Sequence, residues 1–160
     1  MFKKFIVAYD HNASKKVIDR VRETLKLHGI ESIAVEDDAK DNDYPLLAVK
    51  AHDIYEQQGA DGMLLLCGTG VGMNIVANKF KGIRSVLATS VEEAYFSRRH
   101  EDANTLVLAA GYKDEKYDLK FCGRKMVRMI NAFVETEFQG EERHKRRISE
   151  IDKIDKTGRA

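Results

Sequence analysis

The sequence is poor in cysteine and proline and nearly balanced in charge. Its two cysteines, Cys67 and Cys122, are too few for a disulfide framework, so reduced thiols and a cytoplasmic location are expected. A formal net charge of +1 leaves no global attraction for nucleic acid or for an anionic membrane. No apolar run reaches the ~20 residues that a membrane helix needs. The opening MFKKFIVAYD meets Asp10 too early for a signal-peptide apolar stretch. Internal repeats, low-complexity segments and a candidate linker are all missing, and 160 residues suit a single domain over 1–160. Neither an H-E-x-x-H nor a Cys-rich spacing occurs, and His100-Glu101-Asp102 alone is a weak ligand set, so no metal or cofactor is expected.

What is present is an alternation of short apolar runs and helical patterns. Phe5–Tyr9, Ile33–Val35, Met63–Leu66, Ile83–Ala88 and Thr105–Ala109 read as strands. Between them, Ser14 caps a helix that continues through Val17, Ile18, Val21 and Leu25 to a stop at Gly29. Pro45 opens a helix over Leu46–Tyr55 that ends at Gly59. The acidic stretch EDDAKDND before it reads as a loop. A short helix reaches about Lys79, another covers Val91–Arg99, and a long one covers roughly Asp118–Thr136. From Glu141 on, residues 141–160 form a charged C-terminal helix whose end, from 149, is expected to fray. This order predicts a three-layer α/β/α, Rossmann-like fold with a mostly parallel five-stranded sheet and a C-terminal helical extension.

Leu64–Phe80, LLLCGTGVGMNIVANKF, places a thiol where an apolar strand meets glycines at every second position. In open α/β sheets ligands sit at the carboxyl ends of strands. Asp10-His11, Cys67 and Arg99-His100 are the features expected there. Gly68, Gly70 and Gly72 permit close backbone approach, and successive N–H groups entering a helix form an anion nest. Beside such a nest the Cys67 thiol is expected to have a lowered pKa. The competing reading is a small buried core residue next to a turn. A dinucleotide loop is disfavoured because position 73 is Met where G-x-G-x-x-G needs Gly, although Glu92 lies near a ribose-binding position. A P-loop is excluded, since no Gly-Lys-Ser/Thr follows.

The block CGTGVGMNIVANKFKGIRS resembles the signature of the ribose-5-phosphate isomerase B family, which includes galactose-6-phosphate isomerase subunits. YDH near the N-terminus, DYP at Asp43–Pro45, SRRHEDANTLVLAAG at Ser97–Gly111 and GEERHKRRISEI near the C-terminus agree with it in order and spacing. The resemblance implies metal-free interconversion of an aldose and a ketose phosphate through a cis-enediolate. Cys67 is then the base at C2, and the backbone of Gly68, Gly70, Val71 and Gly72 holds the oxyanion. Thr69 shuttles a proton between O1 and O2, and His100 opens the sugar ring. His11 binds the sugar or its phosphate, Tyr44 lines the pocket, and Asp10 orients a histidine or accepts sugar hydroxyls, the competing reading of Asp10 being a turn cap. Lys113, Arg143 and Arg147 supply cations for the phosphate, and Arg143 and Arg147 are spaced for one helix face. Without the resemblance, that last segment reads equally as a solvated mixed-charge helix.

Relatives commonly carry Asn after the ring-opening histidine, whereas this chain has Glu101, an acceptor-only group when ionised. Asn12-Ala13 likewise replaces a small, glycine-containing pair. These departures bear on which sugar is used, and allose 6-phosphate and galactose 6-phosphate stand as alternatives to ribose 5-phosphate. Cys67 and His100 in one chain imply a homomeric enzyme, a homodimer or dimer of dimers with shared sites. A phosphosugar- or nucleotide-binding module without turnover is the alternative from another class.

Overall fold

A computed structural model describes residues 1–35 and 43–159. The expected loop EDDAKDND lies almost wholly outside the described residues. Five strands, β1 (Lys4–Tyr9), β2 (Glu31–Val35), β3 (Gly62–Cys67), β4 (Ser85–Leu87) and β5 (Thr105–Ala109), form one sheet in the order β2-β1-β3-β5-β4. All neighbouring strands in it are parallel. Helices α1 (Lys15–Leu27), α2 (Tyr44–Gln58), α3 (Val71–Ala77), α4 (Val91–Glu101), α5 (Gly123–Glu135) and α6 (Glu142–Thr157) complete the expected three-layer α/β/α arrangement.

Alternation along the strands sorts the core into two halves. Phe5, Val7, Leu64, Leu66, Leu106 and Leu108 face α1, α4 and α5, where Val17, Val21, Leu25, Ala94, Ile130 and Phe133 are buried. Ile6, Ala8, Met63, Leu65, Cys67 and Val107 face α2 and α3, where Leu47, Ala51, Met73 and Ala77 are buried. Both faces of β3 are therefore covered, which explains its unbroken apolar sequence. Gly62 begins β3 opposite Phe5 of β1. A Cβ at Gly62 would lie 1.8 Å from Phe5 Cε1, and Phe5 is 1% exposed and cannot swing away. Gly62→Ala is expected to cost about 1–3 kcal/mol by overpacking, read as a lower denaturation midpoint at unchanged m-value.

Two expectations differ from the structure. The long helix foreseen over Asp118–Thr136 starts only at Gly123, and the residues before it form a hairpin of β6 (Tyr112–Lys113) and β7 (Asp118–Leu119). The Asp114 carboxylate accepts the N–H groups of Lys116 at 2.8 Å and Tyr117 at 2.7 Å, so a side chain satisfies the backbone locally and a turn outcompetes the helix. The tail foreseen to fray from 149 is helical to Thr157 and stops at Gly158 in the left-handed region. Tertiary contacts hold it: Asp155 accepts Gly82 N–H at 3.0 Å, and Asp152 pairs with Arg84 at 3.8 Å. Among the described residues no helix is long and apolar enough to cross a membrane.

Candidate active site

The strand order reverses between β1 and β3. The chain leaves β1 towards β2 on one side and leaves β3 towards β4 on the other, so the loops after β1 and β3 part and open a crevice at the carboxyl edge of the sheet. Asp10 and His11 follow β1, and Cys67 ends β3. The two loops are stitched to the sheet by Asp10 N–H to Leu66 O at 3.1 Å, Ala110 N–H to Cys67 O at 2.9 Å and Gly111 N–H to Gly68 O at 3.1 Å.

Cys67 is 4% exposed and faces α3. Its thiol pKa is raised, not lowered as the anion-nest argument expected. Burial is the largest influence and outweighs the backbone N–H groups of Met73, Gly70 and Thr69, which pull the other way, while the nearby Asp10 charge pushes it further up. Of the Gly68–Gly72 amides expected at the sulfur, those of Thr69 and Gly70 act on it, joined by that of Met73 beyond the stretch, but desolvation of a thiolate exceeds their effect. Gly70 adopts φ +80 as it leads into α3, and a Cβ there would meet Leu87 Cδ1 at 2.4 Å. Thr69 is exposed, and its Oγ1 accepts Val71 N–H at 3.3 Å.

Around this loop stand the other carboxyl-edge candidates. Asp10 is buried, and its carboxylate accepts Asn12 N–H at 2.9 Å and Asn12 Nδ2 at 3.0 Å. His11 is exposed, with Nε2 3.4 Å from Asn12 Nδ2. Tyr44, at the start of α2, lies over Gly72, where a Cβ would meet its ring at 2.4 Å. Tyr112 and Asn12 similarly cover Gly68, at 3.0 and 3.4 Å from a Cβ there. Lys113 is exposed on the hairpin that begins beside this loop. Tyr112 was not singled out from sequence, because only the hairpin folds it back over the glycines.

His100 is not at this edge, which corrects the expectation that it shares an end of the sheet with Cys67. It occupies the last turn of α4, and a helix following a parallel strand runs back to the amino edge. A capping box fixes where α4 starts: Ser90 Oγ accepts Glu93 N–H at 3.1 Å, and Glu93 Oε2 accepts Ser90 N–H at 3.1 Å. The Thr89 N–H and hydroxyl, and then the Ser90 N–H, donate to the Glu93 carboxyl and hold it below its usual range. Asp102 ends α4 at φ 47 and pairs with Arg98 at 2.8 Å and Arg84 at 3.1 Å. Arg84, just before β4, also donates to Glu101 O at 2.9 Å. Glu101, whose side chain is exposed, and His100 therefore stand level with Thr105, where β5 begins, whereas Cys67 pairs with Ala109, where it ends. Four residues of parallel strand separate those levels, about 13 Å.

Arg143 and Arg147 join His100 at the amino edge. Arg143 pairs with Glu141 at 2.8 Å, and His144 of the same helix stacks on His100. Arg147 is exposed and contributes its charge to the same group. One chain thus carries two clusters facing opposite ends of its sheet: Cys67, its glycine loop, Asp10, His11 and Tyr44 at one, and His100, Arg143 and Arg147 at the other. Among the described residues no group of three His, Cys, Asp or Glu side chains is disposed to hold a metal ion.

Residues 5–151 match the family model described as Ribose/Galactose Isomerase. The chain is similar to the probable ribose-5-phosphate isomerase B of Mycoplasma genitalium, 31% identical over 153 residues and covering 94% of each chain. It is similar to the ribose-5-phosphate isomerase B of Escherichia coli, 34% identical over 71% of this chain and 70% of that one. Among solved structures it resembles ribose-5-phosphate isomerase B from Mycoplasma genitalium with bound ribulose-5-phosphate, at a TM-score of 0.82 and 28% identity, covering 98% of this chain and 99% of that one.

Proposed function

The chain belongs to the ribose/galactose isomerase family and is an aldose–ketose isomerase acting on a sugar phosphate, and on that premise we propose that it interconverts ribose 5-phosphate and ribulose 5-phosphate with Cys67 as the base. The observation that carries this reading is the thiol at the end of β3, in the β1/β3 crevice, with the N–H groups of Thr69, Gly70 and Met73 directed at it. The naming of the relatives and the ribulose-5-phosphate bound to one of them support the five-carbon substrate.

The chemistry follows from the residues. The Cys67 thiolate removes the C2 proton of the open-chain aldose, and negative charge moves to O1. Amides of the Gly68–Gly72 loop meet that oxygen, each such donor worth about 10²–10³ in rate. Thr69 passes a proton between O1 and O2, and the protonated thiol returns its proton to C1. His100 donates and accepts the proton that opens the ring before this step. Lys113, Arg143 and Arg147 supply charge for the phosphate, with His11 beside them, while Asp10 orients Asn12 at the rim.

Because His100 and Cys67 face opposite edges of one sheet, a complete site needs two copies, with the amino-edge cluster of one meeting the carboxyl-edge cluster of the other. Exposed apolar side chains support such a contact: Val71 and Ile75 on α3, and Tyr95 and Phe96 on α4, on the two helices that flank the edge strand β4. A homodimer is the smallest closed assembly that pairs both clusters twice.

The decisive experiment is a panel of five- and six-carbon aldose phosphates read by ketose formation, with and without chelator. Ribose 5-phosphate is expected to turn over with the highest kcat/KM, unaffected by chelation. A preference for allose or galactose 6-phosphate reassigns the substrate, and loss on chelation that metal restores overturns the metal-free base. A raised thiol pKa adds a second expectation. The thiolate is the minor form at neutral pH, so kcat/KM is expected to climb between pH 7 and 9, approaching tenfold per unit below the thiol's pKa. A flat profile over that range removes the buried thiol as the titrating base.

A further inference from the structure

His100 does not stand alone at the end of α4. Phe96, four residues earlier on the same helix face, meets its ring at 5.0 Å between centroids, and His144 of α6 stacks on it at 4.5 Å with 8° between planes. Stacking occupies a face of the imidazole and leaves the edge, where both nitrogens lie, for proton transfer.

His144 is unusual in its own right. It is 3% exposed on a helix that otherwise exposes most of its charge. Its Nε2 accepts from Arg143 Nε at 3.3 Å and lies 3.9 Å from Glu141 Oε2. An imidazole accepting through Nε2 is neutral and carries its proton on Nδ1. That Nδ1 is buried without a hydrogen-bond partner among the described residues, so hydrogen bonding alone does not account for the ring's position. Burial, then His100, Arg143 and Arg147, favour the neutral form, opposed by Glu141.

We propose that His144 is a positioning residue for His100: a buried neutral ring that fixes the plane of the ring-opening imidazole without competing for its proton. A histidine in the last turn of a helix otherwise has two free torsions. General acid–base transfer needs its nitrogen within hydrogen-bond reach of the sugar ring oxygen, and a misplacement of an ångström costs on the order of 10²-fold. The nearly parallel ring stacked on it from α6 restricts both torsions. The Arg143 contact ties the same ring to a cation assigned to the phosphate, so the ring-opening group and the phosphate anchor are set by one helix. This inference rests on the isomerase reading above and deepens it.

The test separates ring opening from proton abstraction. Ribose 5-phosphate closes through O4 onto C1 and must be opened. In ribulose 5-phosphate O5 is esterified, no hydroxyl can close a five-membered ring on C2, and exchange of a C1 hydrogen with solvent needs only the base. His144→Ala is expected to lower kcat on ribose 5-phosphate by about 10- to 100-fold, with KM and the C1 exchange of ribulose 5-phosphate each within about threefold of wild type. His144→Phe, which keeps a stacking ring, is expected to recover most of the lost kcat. If the alanine chain does not fold, His144→Gln, polar but without a ring, serves in its place. Equal loss in both reactions, loss confined to KM, unchanged kcat, or no recovery with Phe overturns the proposal. A wild-type chain inactive on ribose 5-phosphate overturns the substrate reading instead.

Discussion

Cys67→Ala is expected to lower isomerisation of ribose 5-phosphate by about 10²–10⁴-fold, the range a positioned base contributes. The same variant is expected to stop deuterium entering C2 from solvent, because no other described side chain at the crevice is assigned to abstract that proton. The loss is expected in kcat more than in KM, since the proposal has the thiol act on the developing enediolate and other groups hold the phosphate. Removing one sulfur from the α2/α3 side of the core leaves a small cavity, so the thermal midpoint serves as the control for folding. Exchange at C2 that persists near the wild-type rate would falsify the assignment of Cys67 as base, while leaving the family intact.

The second large effect is a recovery. Cys67→Ala and His100→Ala are each expected to be nearly inactive as pure proteins. If every site takes its thiol from one copy and its histidine from another, a hybrid of the two variants has one doubly defective site and one intact site. Random pairing at equal amounts makes half of the dimers hybrids, so roughly a quarter of wild-type activity is expected to return on co-expression. Sites built within single chains give no recovery, because each would keep its own defect. Nothing about the individual catalytic groups changes this arithmetic. It tests only where they meet, which is the point on which the ~13 Å separation within one sheet bears.

The fold was legible because its signals are long and mutually consistent. β3 is apolar throughout and is followed by glycines, so both its burial and its end could be read. Pro45 and Gly59 punctuate α2 as expected, and Ser14 stands at the N-cap position of α1, though its side chain makes no capping hydrogen bond. The thiol's position at the crevice was legible for the same reason. Its pKa was not, because the balance between desolvation and three backbone amides depends on how deeply α3 packs over the sulfur. The end of the sheet at which His100 lies was missed by treating the helix after β4 as if its last turn stayed near the carboxyl edge. Reversal of direction in each βα unit carries it away. The hairpin at Tyr112–Leu119 was hidden by an apolar and basic pattern that a helix could also use, until Asp114 claimed the neighbouring amides. His144 was passed over in a segment that reads as mixed charge, since one histidine gives no sign of being inward-facing until α6 packs on α4.

The opposed placement of the two clusters has a consequence for how catalysis depends on abundance. Under the roles proposed for Cys67 and His100, a solitary molecule would hold a thiol with nothing to unlock its substrate, and a histidine with nothing to deprotonate what it unlocks. On that proposal, turnover per milligram is expected to fall away on dilution below the self-association constant, as for a polypeptide switched on by meeting its own kind.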